Sequence, residues 1–327
     1  MKSLPEFQTL YETFQNKKLK FDKPKNLYEP VEHIMHIAGK RMRPVLVLMG
    51  CAIFDGNIKT ALPIALAVEV FHNFTLVHDD IMDCAPLRRG ITTVHTKFGI
   101  NAGILSGDVM LIYAYKYISD LKISPTTITF LLKAFNDAAV KVCEGQQWDM
   151  DFETRKNVSE KEYIKMIGYK TAALVGVALQ MGALASHAKP DAAQILYNFG
   201  YNVGVAFQIH DDILDSFGDP TTFGKKVGGD IAQNKKTLLV IETLALGTTE
   251  QKKELQKLMS VKNTILEAEK IERVKALFIE SGALEAVTKK RETYIALAFE
   301  NLQKLNISSD KKEYLKSWAN DLMQRVK

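Results

Sequence analysis

Six aspartates, in two copies of one spacing, are the side chains of this sequence best placed to do chemistry. Leu76-Val77-His78-Asp79-Asp80-Ile81-Met82-Asp83 carries the first D-D-x-x-D, and Gln208-Ile209-His210-Asp211-Asp212-Ile213-Leu214-Asp215 the second. On a helix the first and third aspartates of each copy share a face, with the middle one about 100° round. Carboxylates packed this closely repel and cannot all stay ionised unless cations join them. An all-oxygen donor set suits a hard ion such as Mg²⁺, which binds through one or two carboxylates, waters and substrate phosphates. Two such faces opposed across a cavity would hold a diphosphate between metal ions. The bland reading, an acidic helix end in solvent, fits one copy; it fits poorly two copies that each follow a histidine and an apolar helix. A calcium loop is excluded because its ligands alternate along a loop with a central glycine, and the Cys/His spacing of zinc sites is missing.

Other candidates lie around the first copy. The helix bearing it is expected from about Ala61 to Asp83, and Thr75 and His72 fall within about 40° of Asp79, Phe71 within about 80°. The carboxylates sit at the C-terminal end, where the backbone dipole also favours cations. Pro86 to Gly90 reads as a turn carrying Arg88 and Arg89, whose forks match phosphate oxygens. Gly39-Lys40-Arg41-Met42-Arg43-Pro44 precedes an apolar helix expected over Val45 to Ala52, and a basic loop before a helix N-terminus favours anions. His72 has a plain alternative as a satisfied core histidine. His78 and His210 point about 100° from the first aspartate of their motifs, which favours structural hydrogen bonding for both.

These side chains must be positioned by helices. Helical periodicity runs through nearly every segment, including a helix starting after Gly282, and no alternating strand run is convincing. The 327 residues contain 9 prolines and 19 glycines, few enough breakers to favour long helices. Breaks fall at Phe54 to Asn57, Pro86 to Gly90, Lys189 to Asp191, Gly218 to Pro220 and Asn306 to Asp310. The hydrophobic content of 46% with 25% charged residues is that of a soluble globular protein. No low-complexity linker separates domains, so one all-α domain, 1–327, is expected. A net charge of +5 suits an anionic ligand but, without a basic stripe, argues against nucleic acid. Cys51, Cys84 and Cys143 read as reduced thiols in a cytoplasmic setting. The Ala/Gly-rich run Thr171 to Ala188 reads as a tightly packed interior helix rather than a membrane span.

G-K-R-x-R-P, D-D-x-x-D-x-x-x-L-R-R-G and a late D-D-x-x-D, in this order, resemble the trans-type isoprenyl diphosphate synthases, also called polyprenyl synthetases. Further matches are Glu144-Gly145-Gln146, Lys170-Thr171, Phe207-Gln208, Phe223-Gly224-Lys225 and Asn234-Lys235-Lys236-Thr237. The similarity covers roughly residues 30 to 240 and becomes merely helical over the last 80 or so. It implies a bundle of long helices around a central active-site cavity, the isoprenoid synthase type I fold. It also implies a Mg²⁺-dependent prenyltransferase and about three ions per site. Such an enzyme condenses isopentenyl diphosphate with dimethylallyl, geranyl or farnesyl diphosphate. Carried over by position, Asp79, Asp83 and Asp211 would hold the ions, with Asp80, Asp212 and Asp215 ligating or supporting through water. Arg88, Lys170, Lys225 and Lys235 would grip the allylic diphosphate, with Lys236 an alternative to Lys235. Lys40, Arg43, His72 and Arg89 would hold isopentenyl diphosphate without metal. Thr171 and Gln208 would offer lone pairs to developing positive charge. A homodimer is implied as well. No integral membrane segment is expected, because the sequence offers no convincing span.

For product length the family precedent places a size-determining residue at Phe74, whereas the helical wheel chooses Thr75 and Phe71. Aromatics only about 7–12 Å up the helix argue for short products. A single aromatic before a small Thr, without a longer spacer in the first motif, resembles geranylgeranyl-type members of archaeal style, which implies C20 first and C15 next. A class I terpene cyclase would lack the second D-D-x-x-D and the basic loop. An inactive regulatory partner would commonly have lost motif acids, yet all six stand here.

Overall fold

Helical spacing of apolar residues does produce an all-α chain; the only strands among the described residues are two of two residues each. The computed structural model describes residues 1–218, 227–260 and 266–324. In order come α1 (Leu4–Lys18), α2 (Lys25–His36), α3 (Met42–Ile53), α4 (Ile58–Met82), β1 (Leu87–Arg88), β2 (Ile91–Thr92), α5 (Val94–Phe98) and α6 (Ile100–Ser119). There follow α7 (Pro125–Thr154), α8 (Glu160–Ile167), a π-helical turn Gly168–Ala172, α9 (Ala173–Ala185) and α10 (Pro190–Phe217). The longest helices after these are Glu267–Glu280, Ala283–Gln303 and Ser309–Gln324.

Contacts group the chain into two compact units. One comprises Met1–Asp137 and Val177–Tyr197, the other Ala138–Gly176 and Asn198–Lys327, with boundaries inside α7, α9 and α10.

The first unit is organised by α4. Asn57 caps it by accepting the Lys59 N–H at 3.0 Å, and an unbroken apolar middle from Ile64 to Val68 is fully buried against α3 and α6. Gly50 on α3 meets the Leu179 carbonyl on α9: a Cβ there would lie 2.2 Å from that oxygen. The Ala/Gly-rich run is thus a helix packed backbone to backbone. Two helical spans, Ile58–Met82 and Glu160–Ala185, are long and apolar enough to cross a membrane, but both are mostly buried in the fold, as core helices are.

Two boundaries differ from the sequence expectation. α3 begins at Met42, not Val45, because Pro44 falls in the first turn, where a missing N–H costs nothing. α4 begins at Ile58, and Asp83 is its C-cap. The expected turn at Pro86 to Gly90 is a hairpin. Leu87 pairs with Thr92 and Arg88 with Ile91, and Arg89 and Gly90 turn with φ of 53° and 76°, as a two-residue primed turn requires.

In the second unit, α8, the lower part of α10 and the later helices bury one apolar cluster that includes Phe152, Tyr163, Ile209, Leu239, Val274, Phe278 and Val287. Ser159 and Glu162 form a reciprocal capping box at the start of α8, which holds the Glu162 carboxyl down to about 2.

Candidate functional site

In the first unit the acidic motif ends α4. Asp79 is half-buried and its carbonyl accepts the Asp83 N–H at 2.8 Å; the Asp83 carboxylate is exposed. Asp80 differs from both. It is 1% exposed and locked to Arg88, whose Nε lies 2.9 Å from each carboxylate oxygen and whose Nη2 lies 2.6 Å from Oδ1. The hairpin thereby aims Arg88 at the helix end while part of its guanidinium stays in solvent.

Further up α4 the second set of predicted residues gathers. Arg43 Nη1 donates to His72 Nε2 at 3.1 Å, and since Arg offers no acceptor, His72 carries its remaining proton on Nδ1. Burial, reinforced by Arg43, Arg89, Arg88 and Arg41, holds His72 well below its ordinary value. Burial lowers Arg43 to about 10, which leaves it charged at neutral pH, and its Nε is buried with no hydrogen-bond partner. Arg89 Nη1 donates to the Ala38 carbonyl at 2.8 Å across Gly39, where a Cβ would lie 2.1 Å from that nitrogen. Lys40 follows on the exposed side of this loop. A neutral histidine among arginines, one with an unsatisfied buried donor, is an arrangement suited to an anion.

In the second unit the aspartates stand in another environment. Asp212 is 4% exposed; the Tyr163 hydroxyl donates to it at 2.6 Å and the Gln208 amide at 3.5 Å. Burial, with the charges of Asp230 and Asp211 adding, pushes Asp212 up to about 8 against those hydrogen bonds. Asp215 accepts the Asp230 N–H at 2.9 Å, and Asp211 is half-buried. Lys170 and Thr171 lie on the π-helical turn, a distortion common at functional sites. Lys170 Nζ is 2.5 Å from Asp149, and Thr171 Oγ1 donates to Gln208 at 3.3 Å. Gly145 lets α7 touch that turn: a Cβ there would lie 2.2 Å from the Lys170 nitrogen. Lys236 is spent on the Phe152 and Glu153 carbonyls at 2.8 and 3.0 Å, whereas Lys235 is exposed and pairs with Asp230 at 3.1 Å. Lys225 and its turn lie outside the described residues.

The remaining predicted residues are packed. Phe74 and Phe71 are buried with ring centroids 5.5 Å apart, and Phe71 continues to Phe135 at 5.1 Å. Thr75 turns its hydroxyl to the His72 carbonyl at 2.8 Å. His78 sits 3.3 Å from the Ile104 carbonyl, and His210 Nδ1 lies 3.2 Å from Arg291. Each ring thus contacts a group outside its acidic motif. Sequence reasoning missed Tyr163, Asp149 and Glu69, because each matters through a partner more than 20 residues away, and Asp230, which carries no motif signal of its own. Arg41 was quoted in its motif without a role.

Among the described residues no three His, Cys, Asp or Glu side chains are already gathered as a metal site. The half-buried Asp79 and Asp211 and the exposed Asp83 offer oxygen-only donors, the kind a hard ion such as Mg²⁺ takes. Burial is the main cause of the raised Asp212; the charges of Asp230 and Asp211, which add to it, are what a nearby cation would offset.

The polyprenyl synthetase family profile matches residues 24–278. A geranylgeranyl pyrophosphate synthase of Geoglobus acetivorans is 37% identical over 308 residues, 94% of this chain and 93% of that one. A geranylgeranyl diphosphate synthase of Saccharolobus solfataricus is 38% identical, covering 93% of this chain and 91% of its own. A crystal structure of a geranylgeranyl pyrophosphate synthase superposes with a TM-score of 0.95 at 43% identity, covering 99% of each chain.

Proposed function

The chain belongs to the polyprenyl synthetase family, and from that premise we propose that it extends allylic diphosphates with isopentenyl diphosphate to geranylgeranyl diphosphate, C20. The observation that carries the reading is α4 itself. His72, beside Arg43, and Asp79 are seven residues apart on one helix, about 10 Å along its axis. One helix therefore offers a metal-free anion site and an acidic end at the separation two neighbouring diphosphates need.

The reaction breaks the allylic C–O bond, whose electrons leave with pyrophosphate. The double bond of isopentenyl diphosphate attacks the cation, and loss of a proton restores an alkene. The family uses Mg²⁺, which when bound neutralises charge on the departing pyrophosphate. Asp79, Asp83 and Asp211 would hold about three ions, with Asp215 supporting them. Asp80 we assign to holding Arg88, and Asp212 to a buried hydrogen-bonded position behind Asp211. Arg88, Lys170, Lys225 and Lys235 bind the allylic diphosphate; Lys235 is preferred to Lys236 because the latter is held by two carbonyls. Arg43, Arg89, Lys40 and His72 bind isopentenyl diphosphate. Thr171 and Gln208 present oxygens to the developing cation. Arg88, Arg43 and Lys170 are each held by a side-chain hydrogen bond before reaction, so they can stabilise charge with little reorganisation.

The buried Phe74–Phe71 pair supports a barrier to the growing tail. Phe74→Ala should lengthen the product series on a chromatogram of dephosphorylated alcohols, and an unchanged profile would count against that barrier. A homodimer is supported by Ile100, Ile104, Leu105 and Ile112, four exposed apolar side chains on α6. A cytoplasmic enzyme is consistent with apolar helices packed inside the fold. Incubation with each allylic starter, isopentenyl diphosphate and Mg²⁺ tests the whole reading. C20 is expected; cyclic hydrocarbon, a C15 end product or no turnover would contradict it.

A further inference from the structure

We infer that Arg41 and Glu69 form a positioning pair that sets the affinity of the isopentenyl diphosphate site while touching no substrate. The inference rests on the reading of Arg43, His72 and Arg89 as that site. Arg41 is 7% exposed and Glu69 4% exposed, and Arg41 Nη1 lies 3.0 Å from the Glu69 carboxylate. Its Nη2 donates to the Met35 carbonyl at 2.8 Å and the Ile37 carbonyl at 3.0 Å. Those carbonyls lie at and just beyond the end of α2, where backbone acceptors lack helical partners. One guanidinium therefore ties the end of α2, the start of α3 and the middle of α4 together.

The backbone at Arg41 shows what this tie maintains. It caps α3 in the left-handed region, φ 46° and ψ 37°, a conformation unfavourable for a non-glycine residue. From that turn Lys40 leaves on one side and Arg43 enters the first helical turn on the other. Glu69 and His72 are three residues apart on α4 and so share a face. Arg41–Glu69 and Arg43–His72 are two successive rungs between the start of α3 and α4. The first is closed: a buried charge meets its counter-charge. The second is open: a charged arginine meets a neutral histidine and keeps a buried Nε unsatisfied. Glu69 also offsets the charges of Arg43 and Arg89, which would otherwise repel each other before an anion arrives. Tyr11, fully buried with Glu69 acting on it, stays neutral.

A lysine cannot reproduce three bonds from one planar fork. Arg41→Lys should raise the KM for isopentenyl diphosphate roughly ten-fold, equivalent to about 1.4 kcal/mol, and leave the KM for the allylic substrate within about two-fold. The same loss should appear in calorimetric titration with isopentenyl diphosphate alone, without divalent ion. Because a broken buried pair can unfold a protein, the second variant is Arg41→Met with Glu69→Leu, which removes both charges and can keep stability. That double variant should melt near the parent yet still bind isopentenyl diphosphate weakly. Parent-like binding by either variant, or equal losses for both substrates, would overturn the inference. Arg43→Gln separates the two levels. If it leaves isopentenyl diphosphate binding intact, the site reading fails and the inference with it; if it abolishes binding while the Arg41 variants bind normally, only the positioning role fails.

Discussion

The two D-D-x-x-D copies are alike in sequence and unlike in surroundings. In both, the middle aspartate is buried. Asp80 meets a guanidinium three times within 2.9 Å, supplied by a hairpin eight residues on. Asp212 meets a tyrosine hydroxyl and an amide, with further carboxylates nearby, and is pushed up to about 8. The motif therefore specifies an outer pair of aspartates and leaves the inner one to whatever the local packing supplies. In the first copy the inner aspartate orients Arg88, the arginine we propose for the allylic diphosphate. In the second it anchors the helix through Tyr163.

The largest effect should come from the outer aspartates. Asp79→Ala and Asp211→Ala are each expected to lower kcat/KM on the order of 10³-fold, with little change in melting temperature. Normal turnover by either variant would mean that the copy carrying it is idle. Stability should divide the inner pair. By urea denaturation in chelator at pH 7, Asp80→Asn should cost about 2 kcal/mol, because Arg88 loses its counter-charge but keeps some access to water. Asp212→Asn should cost less than about 1 kcal/mol, since burial already favours the uncharged form of that carboxyl. Equal costs would erase the contrast.

A smaller effect is expected from pH. The folded chain holds His72 well below the ordinary 6.5, so under mild acid the unfolded chain takes up a proton that the folded one refuses. Stability present above about pH 6.5 should decline as pH falls toward the folded value. Replacing His72 with Gln should flatten that decline in an acid denaturation series, and an unaltered slope would place the effect elsewhere. The least effect concerns Lys236: a Lys236→Ala change should lower stability by about 1 kcal/mol with KM values nearly unchanged, while Lys235→Ala should raise the allylic KM. The reverse pattern would exchange their roles.

Much of this was legible from local pattern. The long helix into Asp83, the helix after Gly282 and the turn bearing Arg88 and Arg89 follow from spacing and from glycine placement. The sequence also put His72 near the Asp79 face, and the structure sets it 3.1 Å from Arg43. What was not legible depends on partners distant in sequence. Lys235 and Lys236 are equivalent on paper until the carbonyls of Phe152 and Glu153, more than 80 residues away, take one of them. Asp80 and Asp212 read alike until Arg88 and Tyr163 are set beside them. The start of α3 was misplaced because the proline at position 44 read as part of the loop, although a first helical turn accepts it.

The decisive assay follows product formation from dimethylallyl, geranyl and farnesyl diphosphates with isopentenyl diphosphate as Mg²⁺ is removed with excess chelator and then restored. The account predicts no elongation in chelator and recovery of a C20 diphosphate from every starter once the ion returns. Elongation that persists in chelator, or none from any starter with Mg²⁺ present, would contradict it.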